Sequence, residues 1–585
     1  MKTKSKLFVT ILLPFLVASI SGCDTLQDAD SKTITIFDLD ATKSEDINSG
    51  KAGSLKAFFH KGEEHVPYIS LKQYASLYDS HFADSTESKV IKQGNLITWT
   101  IYLDSQLCFI SQIDIKNQTV IGGGSISTAL KGDDSPVDTA ALMYGVQTDY
   151  DGDYLGSSPY ARYSYADIDL KTINYSGDVY FPLGFFDITY SFDSGIYFYY
   201  NYVGIYSTHN VDDYYLRTYK NAEGTWTVNK EMLRHKNCVE MPDYLKKYNL
   251  DLFMYLLDNF YGLKEYKGIN KAIDYCKEIG TYDKMLSNKD SERAQAYADT
   301  LSKLDDNHTA LVAGNETWGE QSFIARQYGD GCKNRSALRN QLVDLRTFSA
   351  PISYCSGEEP IISSDGKTAM YLFDSFVYGT SEQVFNNDRT IKEDAWKYDS
   401  FFALIRLFNR LKEVGNVKNV VLDMSTNGGG VLGVLMKLSA LISKTNLGAL
   451  YYYEAGSKQV GIAHSKIDID ADGFYDRNDC FGDDFNIYLL TSDCSFSCGN
   501  AFPCQAKIDG SAKIIGQKSG GGECAVGIHN LPNGQYVYHS SNLHIGYYND
   551  ENRTFTGFED GATPDIEINN YNDFYDIDRL ASYLS

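Results

Sequence analysis

The sequence predicts an α/β sheet domain over residues 321–585, preceded by a helical segment over 241–320 and a β-rich region over 55–240. Three observations predict it. Strand and helix alternate in the C-terminal part: 367–373 reads as a strand, 401–408 opens an amphipathic helix, and Val420 starts the next strand. That alternation marks a sheet with helical crossovers. Upstream, Leu250, Phe253, Leu256 and Leu257 recur at helical spacing. Nearer the N-terminus, short apolar runs such as 66–71, 96–103 and 195–200 read as strands.

The first residues read as targeting rather than fold. Lys2, Lys4 and Lys6 precede an apolar stretch, 7–20, too short to span a bilayer. Ile20-Ser21-Gly22-Cys23 then resembles a bacterial lipoprotein cleavage box. Residues 1–22 are therefore expected to be a signal peptide and Cys23 the lipidated residue, with 23–54 a tether and first strand. The expected location is the cell envelope, extracytoplasmic, with membrane contact through Cys23.

The chain has 585 residues, a net charge of −24 and 43% apolar residues, ample for real cores. The acidity argues against a nucleic-acid partner. The 46 tyrosines are expected on half-exposed strands rather than on a binding platform. Beyond Cys23, ten cysteines remain, with Cys480, Cys494, Cys498, Cys504 and Cys524 close together in sequence. In an oxidising compartment a bridge from Cys498 or Cys504 to Cys524 is expected. Zinc is disfavoured, because no paired short cysteine spacing or companion histidine is present.

One loop pattern points to a hard cation. Residues 468–479 place Asp468, Asp470, Asp472, Asp476 and Asp479 at positions one, three, five, nine and twelve of a calcium-loop pattern. Gly473 stands at the sharp turn, and Phe474 offers its carbonyl at position seven. The expected role is a structural Ca²⁺ bracing the strand that follows, with no cofactor for catalysis.

Two strand ends carry the chemistry. The apolar run 485–490 leads into Ser492-Asp493-Cys494-Ser495-Phe496-Ser497-Cys498-Gly499-Asn500, and a helix opens at Asn500. A hydroxyl at a strand-to-helix turn is placed to act as a nucleophile, because the following amides point at whatever it attacks. A second buried strand, 419–423, runs into Asn427-Gly428-Gly429-Gly430. Glycines there let backbone approach a ligand and present N–H groups to an anion.

These segments, with the 514–522 strand and glycine loop and with Gly561-Ala562-Thr563-Pro564-Asp565, resemble the carboxyl-terminal processing (tail-specific) and tricorn core-like serine peptidases. The resemblance implies an α/β peptidase domain of the crotonase-like ββα type and a peptide or protein substrate. It implies Ser497 as nucleophile, with oxyanion donors at Cys498 and in Gly428 and Gly429. The tail-specific branch places a lysine base where this chain has Gly522, and Lys518 falls earlier in the loop. The tricorn-like branch uses a histidine, which matches His308 in Asp305-Asp306-Asn307-His308. Neutral imidazole takes a hydroxyl proton near neutral pH. Glu559 is the expected supporting acid, with Asp560 open as its alternative. No PDZ module is read between His308 and Lys367.

The reading is thus an exported, lipid-anchored serine endopeptidase. Two others stay open: a non-catalytic ligand- or peptide-binding lipoprotein on the same fold, and a cysteine-type hydrolase using Cys498.

Overall fold

The computed structural model describes residues 29–38, 51–131, 147–155, 160–200, 204–208, 218–220, 226–228, 240–312, 327–388, 390–470 and 472–584. The targeting segment and Cys23 lie outside the described residues.

A six-stranded sheet forms the centre of the C-terminal part. Its order is Ile361–Ile362, Thr368–Leu372, Asn419–Asp423, Asn486–Thr491, Lys513–Gly516, Ile566–Glu567. All neighbours pair in parallel except the first two. A parallel sheet must be covered on both faces, and the strand sequences divide accordingly. Ala369, Tyr371, Val420, Leu422, Leu489 and Ile514 enter one core cluster. Their chain neighbours Met370, Val421, Tyr488, Leu490 and Ile515 enter the opposite one. This is the period of two that a strand imposes on its side chains.

Helix Ser400–Val414 shows how one crossover is specified. Asp399 caps its N-terminus by accepting from the Phe401 amide at 2.8 Å. Phe401, Leu404, Leu407, Phe408 and Leu411 bury one stripe, each worth roughly 1.5–3 kcal/mol. Gly415, in the left-handed region, ends the helix. Helix Cys498–Asp509 makes the crossover between Asn486–Thr491 and Lys513–Gly516.

A second sheet is built on the long strand Tyr536–Asn549, which pairs with Ala310–Val312, Gly448–Glu454, Cys524–Asn530 and Thr554–Gly557. Gly448–Glu454 continues through Gln459–Lys466 to Gln147–Tyr154. Strands from the N-terminal and helical regions therefore complete a C-terminal sheet, and the sequence boundaries at 240 and 320 do not divide the sheets. Helices Asp243–Phe260 and Asp290–Lys303 lead to the turn before Ala310–Val312. Helix Asp330–Ser349 follows.

The N-terminal region holds a seven-stranded sheet and a five-stranded one. Within the stretch expected to hold a tether and a first strand, residues 29–38 form strand Ala29–Asp38 along Lys51–His60. The alternating apolar residues Ile34 and Ile36 fit that strand. Tyr74, Tyr78, Trp99, Phe186 and Tyr190 pack ring on ring in the core. These tyrosines are core residues, not a binding platform. No helix among the described residues is long and apolar enough to cross a membrane.

Candidate active site

Ser497 stands at the end of the central strand Asn486–Thr491 and caps helix Cys498–Asp509. Its φ of 58° and ψ of −126° are held by a tight turn. A non-glycine residue in such a conformation costs about 1–3 kcal/mol and persists only where surroundings over-determine it. Those surroundings are specific. The Ser497 amide donates to Gly521 O at 2.9 Å and the Phe496 amide to Asn427 O at 3.0 Å. Ser492 and Ser495 are fully buried and tied to the neighbouring strand end: Ser492 Oγ donates to Ser425 O, and Ser495 Oγ donates to Met424 O. Ser497 alone of the three reaches the surface in part.

The glycine turn packs directly on this elbow. A Cβ on Gly429 would lie 2.7 Å from Ser497 Cβ and 3.0 Å from the Cys498 nitrogen. The Gly429 amide, however, donates to Asn427 Oδ1 at 2.8 Å. That corrects its sequence-based assignment as an oxyanion donor, because its hydrogen is already committed. Gly428 faces open space. The Cys498 amide is the first of its helix, so helical geometry gives it no internal acceptor.

Cys498 is no nucleophile in this fold. Its thiol donates to Gly430 O at 3.2 Å, and burial pushes it up to about 12. The expected disulfide is also absent: all nine described cysteines are free thiols. Cys498 and Cys504 belong to the core beneath the nucleophile helix, whereas Cys524 belongs to the N-terminal core.

His308 follows the helix Asp290–Lys303 and precedes strand Ala310–Val312, whose pairing with Tyr536–Asn549 sets its place. Asp306 shapes the turn: it accepts from the His308 amide at 2.9 Å, Thr309 Oγ1 at 2.6 Å and Ser540 Oγ at 2.7 Å. The buried imidazole packs edge-on against Phe496, with ring centroids 4.8 Å apart. Phe496 immediately precedes Ser497, so the fold brings together residues nearly two hundred positions apart.

Arg335 also lies over that ring, its guanidinium 4.9 Å from the centroid. It also donates to Asp493 O at 2.8 Å and Gly520 O at 3.0 Å, joining nucleophile turn to glycine loop. Gly522, where the tail-specific branch has its lysine, has φ 86°, and a Cβ there would strike the Phe496 ring at 2.5 Å. Lys518 is exposed.

Glu559 Oε2 accepts from the Gly522 and Glu523 amides, both at 3.0 Å. Burial raises its carboxyl, with Asp306 and Glu523 adding to the rise and those two amides opposing it. Asp560 is exposed and accepts from Tyr266 Oη. Asn500 Nδ2 donates to Phe558 O, and its Oδ1 accepts from Ser519, fastening the same loops to the helix. Sequence reasoning missed Arg335, which stands in no motif. Asn427, Phe496, Ser519 and Asp306 stood inside the motifs above, but no role was assigned to their side chains.

The class of protein, a serine-type peptidase, follows from a family match over the segment that carries this turn. Residues 397–568 match the model of Peptidase family S41, and this segment is the peptidase region the sequence resembled. No curated protein matches the chain. Among solved structures, a putative peptidase from Parabacteroides merdae ATCC 43184 aligns at 16% identity, covering 58% of this chain and 97% of that one, with a TM-score of 0.40. Mature CPAF complexed with lactacystin aligns at 13% identity over 58% and 97%, with a TM-score of 0.37. The tricorn protease aligns at 10% identity over 96% and 60%, with a TM-score of 0.30.

Proposed function

We propose that the chain is an exported, lipid-anchored serine endopeptidase whose domain is of the crotonase-like ββα type. Ser497 attacks the peptide carbonyl. His308 takes the hydroxyl proton and returns it to the leaving amine. The Cys498 and Gly428 amides hold the developing oxyanion. Glu559 is a positioning residue that fixes the glycine loop against Ser497. Anchoring through Cys23 rests on the N-terminal sequence alone.

The observation that carries this reading is the strained, partly exposed Ser497 elbow beside a buried histidine turn. A binding protein on the same fold has no use for a hydroxyl held at that cost. The test is labelling by a fluorophosphonate probe together with hydrolysis of an unfolded protein substrate. The parent is expected to do both, and Ser497→Ala and His308→Ala neither. An unreactive parent, or a Ser497→Ala variant that still hydrolyses, defeats the proposal.

A further inference from the structure

The loop after strand Gln459–Lys466 plays no part in the proposed hydrolysis, yet it is built with unusual care. Its carboxylates at Asp468, Asp470 and Asp472 each bring an oxygen within 4.8 Å of the other two. Among the described residues no lysine or arginine pairs with any of them. Like charges held that close repel unless a cation lies between them.

A second, independent observation concerns Asp468. The residue is 94% buried, at 6% relative exposure. Its Oδ2 accepts from the Gly473 amide at 2.9 Å, while its Oδ1 is buried with no hydrogen-bond partner. A buried acceptor left unsatisfied costs more than a typical hydrogen bond gains. A carboxylate oxygen of Asp468 lies within 4.8 Å of one on Asp470 and one on Asp472, so a cation held by the three would meet the unmet need of this buried carboxylate.

The rest of the loop holds the three carboxylates in place. Asp470 Oδ1 accepts from the Asp472 amide and Asp472 Oδ1 from the Phe474 amide. Gly473 sits at φ 85°. Asp479 ties the two ends together, accepting from Ile469 N at 2.7 Å and Asp476 N at 2.9 Å. Asp476 caps the short helical turn Arg477–Asp479. The sequence-based ligand set of six thus narrows to Asp468, Asp470 and Asp472, with the Phe474 carbonyl at position seven, while Asp476 and Asp479 close the loop. Asn446 clamps its entry through Ile467 N and O.

We propose that this loop binds one Ca²⁺ through the carboxylates of Asp468, Asp470 and Asp472. All-oxygen donors on a loop of this spacing favour calcium over magnesium, which demands tighter octahedral geometry, and over zinc, which prefers nitrogen and sulfur. Position twelve carries the shorter Asp479 and not a glutamate, so the affinity falls toward the weak end of such loops, about 10⁻⁴–10⁻³ M. The bound ion fastens the segment that feeds strand Asn486–Thr491, at whose end Ser497 sits.

The test uses the full chain stripped of metal with a chelator. Calorimetric titration with Ca²⁺ alone is expected to show one saturable site per chain. Tb³⁺ is expected to luminesce when tyrosine is excited, through Tyr475 in the loop, and Ca²⁺ to quench that signal by displacement. Asp470 and Asp472 are exposed, so Asp470→Asn with Asp472→Asn leaves folding intact and is expected to weaken Ca²⁺ at least tenfold. Mg²⁺ in place of Ca²⁺ is expected to leave the luminescence. A parent that takes up no saturable Ca²⁺ at about ten times the upper end of that range, or a double variant that binds as the parent does, overturns the proposal.

Discussion

Replacing Gly522 by alanine tests how the proposed site is assembled. The position has φ 86°, and a Cβ there would meet the Phe496 ring at 2.5 Å. That ring is already engaged by two neighbours: the His308 imidazole packs against it and the Arg335 guanidinium lies over it. Forcing a side chain into the left-handed region costs about 1–2 kcal/mol, and overpacking a filled site about 1–3 kcal/mol. The sum, about 2–5 kcal/mol, is expected to lower Tm by roughly 2–4 °C per kcal/mol. Because the displaced ring borders both His308 and Ser497, the fluorophosphonate labelling rate is expected to fall more than tenfold. Thermal denaturation and probe labelling are run on the same preparation. A Gly522→Ala variant with the parent's Tm and labelling rate refutes the claim that Phe496 fills the place a lysine would need. Gly522→Lys is likewise expected not to restore activity to a His308→Ala variant.

Ser497→Gly is expected to abolish turnover yet raise Tm, since it releases backbone strain of about 1–3 kcal/mol; a lower Tm argues against a strained elbow. Asp305 accepts from the Gly331 and Cys332 amides at the start of helix Asp330–Ser349. Asp305→Ala is therefore expected to cost about 0.5–2 kcal/mol by denaturant melt, and no loss argues against that cap. Asp187 is fully buried, and desolvation raises its carboxyl to about 8 against an ordinary 3.8, with the Phe198 amide opposing. Between those two values the unfolded chain ionises while the folded one holds its proton, so stability falls as pH rises. Asp187→Asn is expected to melt above the parent at pH 8 and to lose that advantage as pH falls toward 4, and a constant difference contradicts the assignment.

Strand-helix alternation was legible in the sequence because the parallel sheet leaves its signature locally: Val420, Val421 and Leu422 are all buried. The Ser497 turn was legible because small residues stand where backbone must crowd. Only the existence of a first strand near the tether was legible; its bounds, Ala29–Asp38, depend on Lys51–His60 and Gly204–Thr208 on either side. The disulfide failed because closeness in sequence says nothing about which core a thiol enters, and Cys498 and Cys524 enter different ones. Gly429 was assigned as a donor from its glycine run, but Asn427 takes its amide through a side-chain bond no spacing reveals. Arg335 was invisible for a similar reason. It lies in a polar helix with no motif, and its importance comes wholly from what the fold brings beside it.

The proposed base and nucleophile sit on different sheets, so their mutual position must be fixed by contacts between layers. One route runs from the histidine turn through Asp305, which caps helix Asp330–Ser349, to Arg335 on that helix and then to Phe496, Asp493 and Gly520. The second runs through Glu559, which grips the Gly522 and Glu523 amides beside the Gly521 carbonyl that holds Ser497. Arg335 combines two tasks in one planar group: it forks between two carbonyls and covers an aromatic face. A lysine ammonium is a point charge and cannot do both. Arg335→Lys keeps the charge and is expected to lose kcat nearly as fully as Arg335→Ala, by up to about 10²-fold for a displacement near 1 Å, with KM little changed. A lysine variant with the parent's kcat would mean that charge alone matters at this position, and the layered positioning argued for His308 would fall with it.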